Sequence, residues 1–212
     1  MSGLTIFFTG LSGAGKSTLA RALGERLSIL DRRVVRLLDG DALRQHLSSE
    51  LGFSREHRSL HIDRIGFVAA EITSCGGIAI CAAIAPYDDA RRRVRTAIER
   101  VGDFVLVHVA TPLDVCERRD VKGLYARARA GDLSQFTGVS DPYEPPQKAE
   151  IVLDTTNAPV ARTAKELAEF LAGGGYLQAR PTRKAAGLDE SPYRRTAQDG
   201  QRLVRKARQS DV

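Results

Sequence analysis

The sequence predicts an α/β fold, a parallel sheet of about five strands with helices on both faces. Three observations carry this. Short apolar runs recur at 5–9, 34–38, 78–84, 104–109 and 151–153, most of them continuous rather than alternating, as strands buried on both faces require. Amphipathic stretches at 17–29, 42–47, 58–74, 88–100, 112–118 and 160–171 fill the gaps. Strand and helix therefore alternate, and a helical crossover is what parallel pairing needs. A length of 212 residues suits one such domain with a tail.

The first strand, 5–9, runs into Gly10-Leu11-Ser12-Gly13-Ala14-Gly15-Lys16-Ser17, and Thr18 continues the first helix. This fits G-x-x-x-x-G-K-[ST] between a strand and a helix, the context that makes the motif meaningful, and it specifies a P-loop NTPase-type sheet. Glycines let successive backbone N–H groups curl around phosphates without Cβ clashes. The helix N-terminus adds positive potential there. Lys16 can reach the β- and γ-phosphates, and the Ser17 hydroxyl suits Mg²⁺. The motif implies ATP or GTP, and the absence of an N-K-x-D guanine motif weakens the GTPase reading.

The second strand closes in Leu37-Leu38-Asp39-Gly40-Asp41. Ligands of open parallel sheets bind outside the carboxyl ends of the strands, so both acids should face the P-loop. Phosphoryl transfer needs acids for two tasks, holding Mg²⁺ and accepting the proton of an attacking hydroxyl. Either aspartate could instead cap the helix at 42–47. The third strand leads to Ile84-Ala85-Pro86-Tyr87, and the fifth precedes the last helix. Gly173-Gly174-Gly175 reads as a boundary, giving a domain over 1–175 and a basic extension over 176–212, flexible or docked on a partner.

Composition narrows the class. Hydrophobic residues make up 42%, normal for a globular protein. The net charge is +6, but 176–212 carries nine Lys and Arg against four acids, so the body is near neutral and a broad nucleic-acid face is not expected. No run of about 18 apolar residues suggests a membrane helix. The start of the chain lacks a basic n-region, so the expected address is the cytoplasm. Cys75, Cys81 and Cys116 are odd in number, form no CxxC, and read as buried apolar groups in a reducing compartment. His46, His57, His61 and His108 are scattered and suggest no zinc site.

The P-loop followed by Leu38-Asp39-Gly40-Asp41 with Arg44, then by Leu51-Gly52-Phe53-Ser54 with Glu56 and Arg58, resembles the adenylyl-sulfate kinase family. Ile84-Ala85-Pro86-Tyr87, Arg119-Asp120-Val121-Lys122-Gly123-Leu124-Tyr125, Phe136-Thr137-Gly138 and Asp141-Pro142-Tyr143-Glu144-Pro145-Pro146 agree, in order, across roughly 4–172. The resemblance implies transfer of the ATP γ-phosphate, with Mg²⁺, to the ribose 3′-hydroxyl of adenylyl sulfate (APS), giving 3′-phosphoadenylyl sulfate in sulfate activation. By the same resemblance Asp41 matches the acid that activates the hydroxyl, with Lys16 at the phosphates and Asp39 as metal-side companion beside Ser17. Arg44 and Arg58 match arginines that hold the acceptor's anionic end. Phe53 matches an aromatic stacked on the acceptor adenine, and His61, Ile84 and Leu124 fall at acceptor-side positions. Lys122 to Tyr125, with 126–131 and Phe136, resembles a mobile lid, Lys122 reaching the anionic groups and Phe136 closing over the adenine. A homodimer is implied, and a sulfate-adenylylating enzyme is a further candidate partner.

The sequence departs from the family pattern at two acceptor-side positions. His61 stands where the family usually has Asn, and Asp63 where it has the first of two arginines, with Arg64 and Arg58 as the neighbours expected to neutralise the acid. Ala85 offers no hydroxyl for a phosphoserine intermediate, which leaves direct transfer. Two alternatives stay open from sequence: a related kinase of another nucleotide acceptor such as a CDP derivative, and a catalytically weak nucleotide-binding regulatory module. Intact Lys16, Ser17 and Asp41 argue against the second. Burial of His61 and Asp63 away from the acceptor would favour APS.

Overall fold

The computed structural model describes residues 2–179. Its strands are β1 (Gly3–Thr9), β2 (Val35–Asp39), β3 (Ile78–Ala82), β4 (Gly102–Val109) and β5 (Ile151–Leu153). They lie in the order β2-β3-β1-β4-β5, and every pairing is parallel. The helices are α1 (Lys16–Leu30), α2 (Gly40–Leu47), α3 (Arg55–Ser74), α4 (Asp88–Ile98), α5 (Leu113–Arg119), α6 (Leu124–Arg129) and α7 (Val160–Gly173). None of them is long and apolar enough to cross a membrane.

Alternate residues of the central strands feed two cores, as the two-residue repeat of a strand requires. Leu4, Ile6 and Phe8 of β1 join Ile80, Val105 and Val107 beneath α1 and α7. Phe7, with Ala79, Cys81 and Leu106, packs on the other face against Ile62, Ile65 and Ala69 of α3 and Val94 of α4. This is the two-faced layering that continuous apolar runs imply. β2 is an edge strand, so its Arg36 and Leu37 are exposed.

Element ends differ from the sequence expectation where local chemistry intervenes. The run at 78–84 leaves the sheet after Ala82, because Ala83 and Ile84 turn to bond Phe8 O and Gly10 N, and Ala85 sits at φ 45°. α3 begins at Arg55 rather than 58, since Ser54 caps it by accepting from His57 N. α6 was not expected as a helix. Asp120 accepts from the N–H groups of Tyr125 and Ala126, both at 3.0 Å, and starts it. Residues 176–179 pack on the body, whereas 180–212, most of the predicted extension, lie outside the described residues.

Candidate active site

The carboxyl end of β1 delivers the Gly-rich loop. A Cβ on Gly10, at φ 147°, would lie 2.4 Å from Val109 O, so only glycine lets β1 leave the sheet here. The loop's carbonyls are then claimed from outside. Tyr125 Oη donates to Ser12 O (3.0 Å) and Arg119 to Gly13 O (3.3 Å). Thr111 and Thr155 donate to Ala14 O at 3.2 and 2.9 Å. Holding three carbonyls away from the cradle leaves the N–H groups of Gly13, Gly15 and Lys16 to line it, Ala14 N donating to Leu11 O at 3.2 Å, with Gly15 at φ 95° opening α1.

Lys16 is buried, and its ammonium donates to Leu11 O at 2.7 Å. Burial pushes its pKa down from 10.5 to about 8, and Asp41 supplies the largest opposing pull. Ser17 is half-buried at the start of α1, and Thr18 is exposed beside it.

The two aspartates divide the roles expected of them. Asp39 caps α2, its Oδ1 accepting from Asp41 N (3.0 Å) and Ala42 N (3.4 Å). Asp41 is thereby released from capping. Its carboxylate stands exposed in the first turn of α2 and pairs with Lys122 of the lid segment. Lys122 and Asp41 come from 81 residues apart, so the pair brings the 120–125 segment to the start of α2.

Hard oxygen donors suit Mg²⁺, which keeps most of its waters and takes one or two protein ligands plus phosphate. The site fits that habit. Asp39 Oδ2 has no hydrogen-bond partner among the described residues, and no cluster of three metal-binding side chains is present among them.

Three residues that the resemblance assigns to the acceptor converge. The guanidinium of Arg44 lies 4.8 Å, and that of Arg58 5.4 Å, from the centre of the Phe53 ring, which is 55% exposed. Burial, and for Arg44 also the charge of Arg58, lowers both guanidinium pKa values, while Asp41 on Arg44 and Asp141, 3.8 Å from Arg58, pull the other way. Arg44 donates to Leu51 O and Gly52 O at 3.2 and 3.1 Å. Arg58 donates to Phe53 O (2.8 Å), Thr137 Oγ1 (3.1 Å) and Gln135 O, which ties α3 to the lid-side loop.

The remaining predicted residues stand apart from this cluster. Phe136 packs edge-on against Tyr125, centroids 5.0 Å apart, rather than over Phe53. Ile84 is half-buried, and its carbonyl accepts from Thr9 Oγ1 (2.6 Å) and Gly10 N (3.3 Å). Leu124 is half-buried at the first position of α6. His61 is 5% exposed, with both ring nitrogens engaged, to Gly40 O and Ser48 Oγ.

Asp63 points the other way. It pairs with Arg93 of α4 at 3.0 and 3.1 Å, which corrects the expectation that Arg64 or Arg58 neutralises it. Arg64 is taken by Glu50 (2.6 Å), so the charge reversal at Asp63 does not reach the arginine cluster.

Sequence reasoning gave no role to Thr111, Thr155 or Arg119, and placed Tyr125 only within the lid-like segment. Their work is to hold P-loop carbonyls from distant positions. The one local signal was polar side chains just past strand ends, at Thr111 and at Thr155-Thr156.

The family model for adenylylsulphate kinase matches residues 2–154. An adenylyl-sulfate kinase of Synechococcus sp. (strain JA-3-3Ab) is 48% identical over 176 residues, covering 83% of this chain and 98% of that protein. A sulfate adenylyltransferase of Phaeosphaeria nodorum is 49% identical over 175 residues, covering 82% of this chain but 30% of that larger protein, so the chain spans about a third of it. Among solved structures, a Mycobacterium tuberculosis APS kinase in complex with AMPPNP and APS superposes with a TM-score of 0.75 at 38% identity, over 81% of this chain and 98% of that one.

Proposed function

The chain belongs to the adenylylsulphate kinase family, and on that premise we propose that it transfers the γ-phosphate of ATP to the 3′-hydroxyl of adenylyl sulfate. One observation carries the reading. Asp41 stands between the P-loop and the acceptor cluster, pairing with Lys122, drawing on Lys16 and acting on the Arg44 charge.

In the reaction the 3′-oxygen bonds to the γ-phosphorus, the bond from that phosphorus to the bridging oxygen of ADP breaks, and Asp41 accepts the hydroxyl proton. Lys16 and the loop N–H groups bind the β- and γ-phosphates. Ser17 and Asp39 would hold Mg²⁺, which neutralises phosphate charge when bound. Arg44 and Arg58 neutralise the phosphosulfate, for which planar guanidinium forks are suited. Phe53 offers its exposed face to the adenine. Phe136 lies off that face, so the aromatic sandwich requires the 120–136 segment to move when the acceptor binds.

The His61 and Asp63 geometry removes the objection these two departures raise against adenylyl sulfate. The pairing of Asp63 with Arg93 keeps its charge off the arginines, and His61 keeps both nitrogens occupied. We also place the reaction in the cytoplasm and read the chain as a homodimer. Exposed Leu47, Leu60 and Phe67 on α2 and α3 support the dimer, and sedimentation of the full chain tests it.

The test of the activity is direct. The protein is incubated with ATP, Mg²⁺ and separate acceptors, adenylyl sulfate and CDP derivatives among them, and products are identified by mass. A phosphorylated adenylyl sulfate is expected. Phosphorylation of a cytidine acceptor alone overturns the reading, and no product with any acceptor points to a regulatory module.

A further inference from the structure

We propose that His61 is the positioning residue of α2: it ties both ends of the helix that carries Asp41 and Arg44 to α3, and so fixes where the acid stands. This rests on the kinase reading above. The imidazole is buried on α3, with Nε2 3.1 Å from Gly40 O and Nδ1 3.0 Å from Ser48 Oγ. A carbonyl can only accept, so Nε2 carries a proton, and in the neutral ring Nδ1 then accepts from the Ser48 hydroxyl. Arg64 Nη1 lies 3.4 Å from the same hydroxyl oxygen, which is then free to accept from it. The direction of every bond in the network is thereby set.

The two anchor points are the ends of the helix. Gly40 opens α2 between Asp39 and Asp41, and Ser48 is its fully buried C-cap. A helix of eight residues is too short to hold itself together and depends on such ties. Gly40 is also wedged from the other side. A Cβ there would meet Ala83 Cβ at 3.1 Å and Ala82 O at 3.2 Å, so its carbonyl is held between the sheet and the imidazole. Burial and the nearby Arg44 charge favour the neutral ring, with a pKa pushed down to about 4, which keeps the donor–acceptor pattern intact at neutral pH. Both ring nitrogens of His61 are thus taken by the two ends of α2. The residue acts through the backbone between the two aspartates.

Three variants and one spectrum test this. His61→Leu should lower kcat with adenylyl sulfate by about 10²-fold, the scale of a misplaced reacting group, while ATP affinity stays within about twofold. His61→Gln carries an amide N–H where Nε2–H lies and should restore most of the kcat. Ser48→Ala removes one tie at the buried cap and should lower kcat by about tenfold, which is about 1.4 kcal/mol of transition-state stabilisation, and it serves if His61→Leu fails to fold. The imidazole ¹⁵N spectrum of the wild-type protein at neutral pH should show a neutral ring protonated on Nε2.

Unchanged kcat in folded His61→Leu, a Gln variant no better than Leu, or equal losses of kcat and ATP affinity would each overturn the proposal. An Nδ1-protonated ring overturns the tie itself whatever the substrate. Wild-type protein that leaves adenylyl sulfate unphosphorylated sinks the kinase reading and the catalytic consequence with it, and the spectrum still decides whether His61 holds Gly40.

Discussion

Lys16 shows how a functional residue costs stability. Its folded pKa of about 8 lies below the ordinary 10.5, so the folded chain binds fewer protons than the unfolded one between those values. Stability should rise with pH across that window, and the cost is fully present below pH 8. Lys16→Met, which keeps the length without the charge, is expected to raise Tm at pH 7 and to abolish turnover. A lowered Tm would show that the Leu11 bond outweighs the burial of the charge. In the wild type, kcat/KM for ATP should fall as pH rises through about 8, because it reports the free enzyme and the empty site must hold a cation. Asp41→Asn should lower kcat by about 10²-fold with ATP affinity nearly unchanged, whereas a loss confined to Tm would make Asp41 a purely structural group. Residues of this kind were legible because a motif spacing names them. Thr155 and Arg119 were not, because a hydroxyl or guanidinium that holds a carbonyl 106 to 141 residues away leaves no local pattern. The pairing of Asp63 with Arg93 was missed for the same reason, since the partner sits on the neighbouring helix rather than the same one.

At the scale of elements, periodicity placed every strand and all but one helix, and it failed at ends where side chains cap or turn the backbone. The run at 78–84 reads as one strand because a buried loop is as apolar as a buried strand. The break comes from hydrogen bonds of Ala83 and Ile84 that hydropathy cannot register. α6 was missed because its six residues are too few for a period, and its stability comes from Asp120, outside the helix. That dependence makes a prediction. Asp120→Ala removes a cap of about 1 kcal/mol from the segment that presents Lys122. It should lower kcat several-fold while changing ATP affinity little, because the P-loop contacts of Arg119 precede the cap. Stopped-flow binding and steady-state turnover on one preparation separate the two. Wild-type kcat would show that the lid segment works without an ordered α6.

The whole molecule closes on a tie that no motif announced. The three glycines at 173–175 read as the end of the domain, yet the chain goes on to cover α1 and the start of β2. Arg33, 8% exposed, donates to both oxygens of Asp31, to Ser2 O and to Tyr176 O. Gln178 N donates to Asp31 Oδ2 at 2.7 Å, and Asp31 pairs antiparallel with Ala179. One buried ion pair thus joins the N-terminus, the α1–β2 turn and residues 176–179, with Tyr176 packed on the core shared by α1 and α7. Four residues have no period, and their partner lies more than 140 positions earlier, so composition could mark only the glycines. A chain ended after Gly175 loses the Tyr176 and Gln178 bonds to this pair, and hydrogen bonds to buried charges contribute about 1.5–3 kcal/mol each. It should therefore melt several degrees below a chain ended after Ala179, at roughly 2–4 °C per kcal/mol for a domain of this size. Both truncations keep the P-loop and the acceptor cluster, so turnover at low temperature should be alike. Equal melting temperatures for the two would mean that Asp31 and Arg33 hold the body together without residues 176–179.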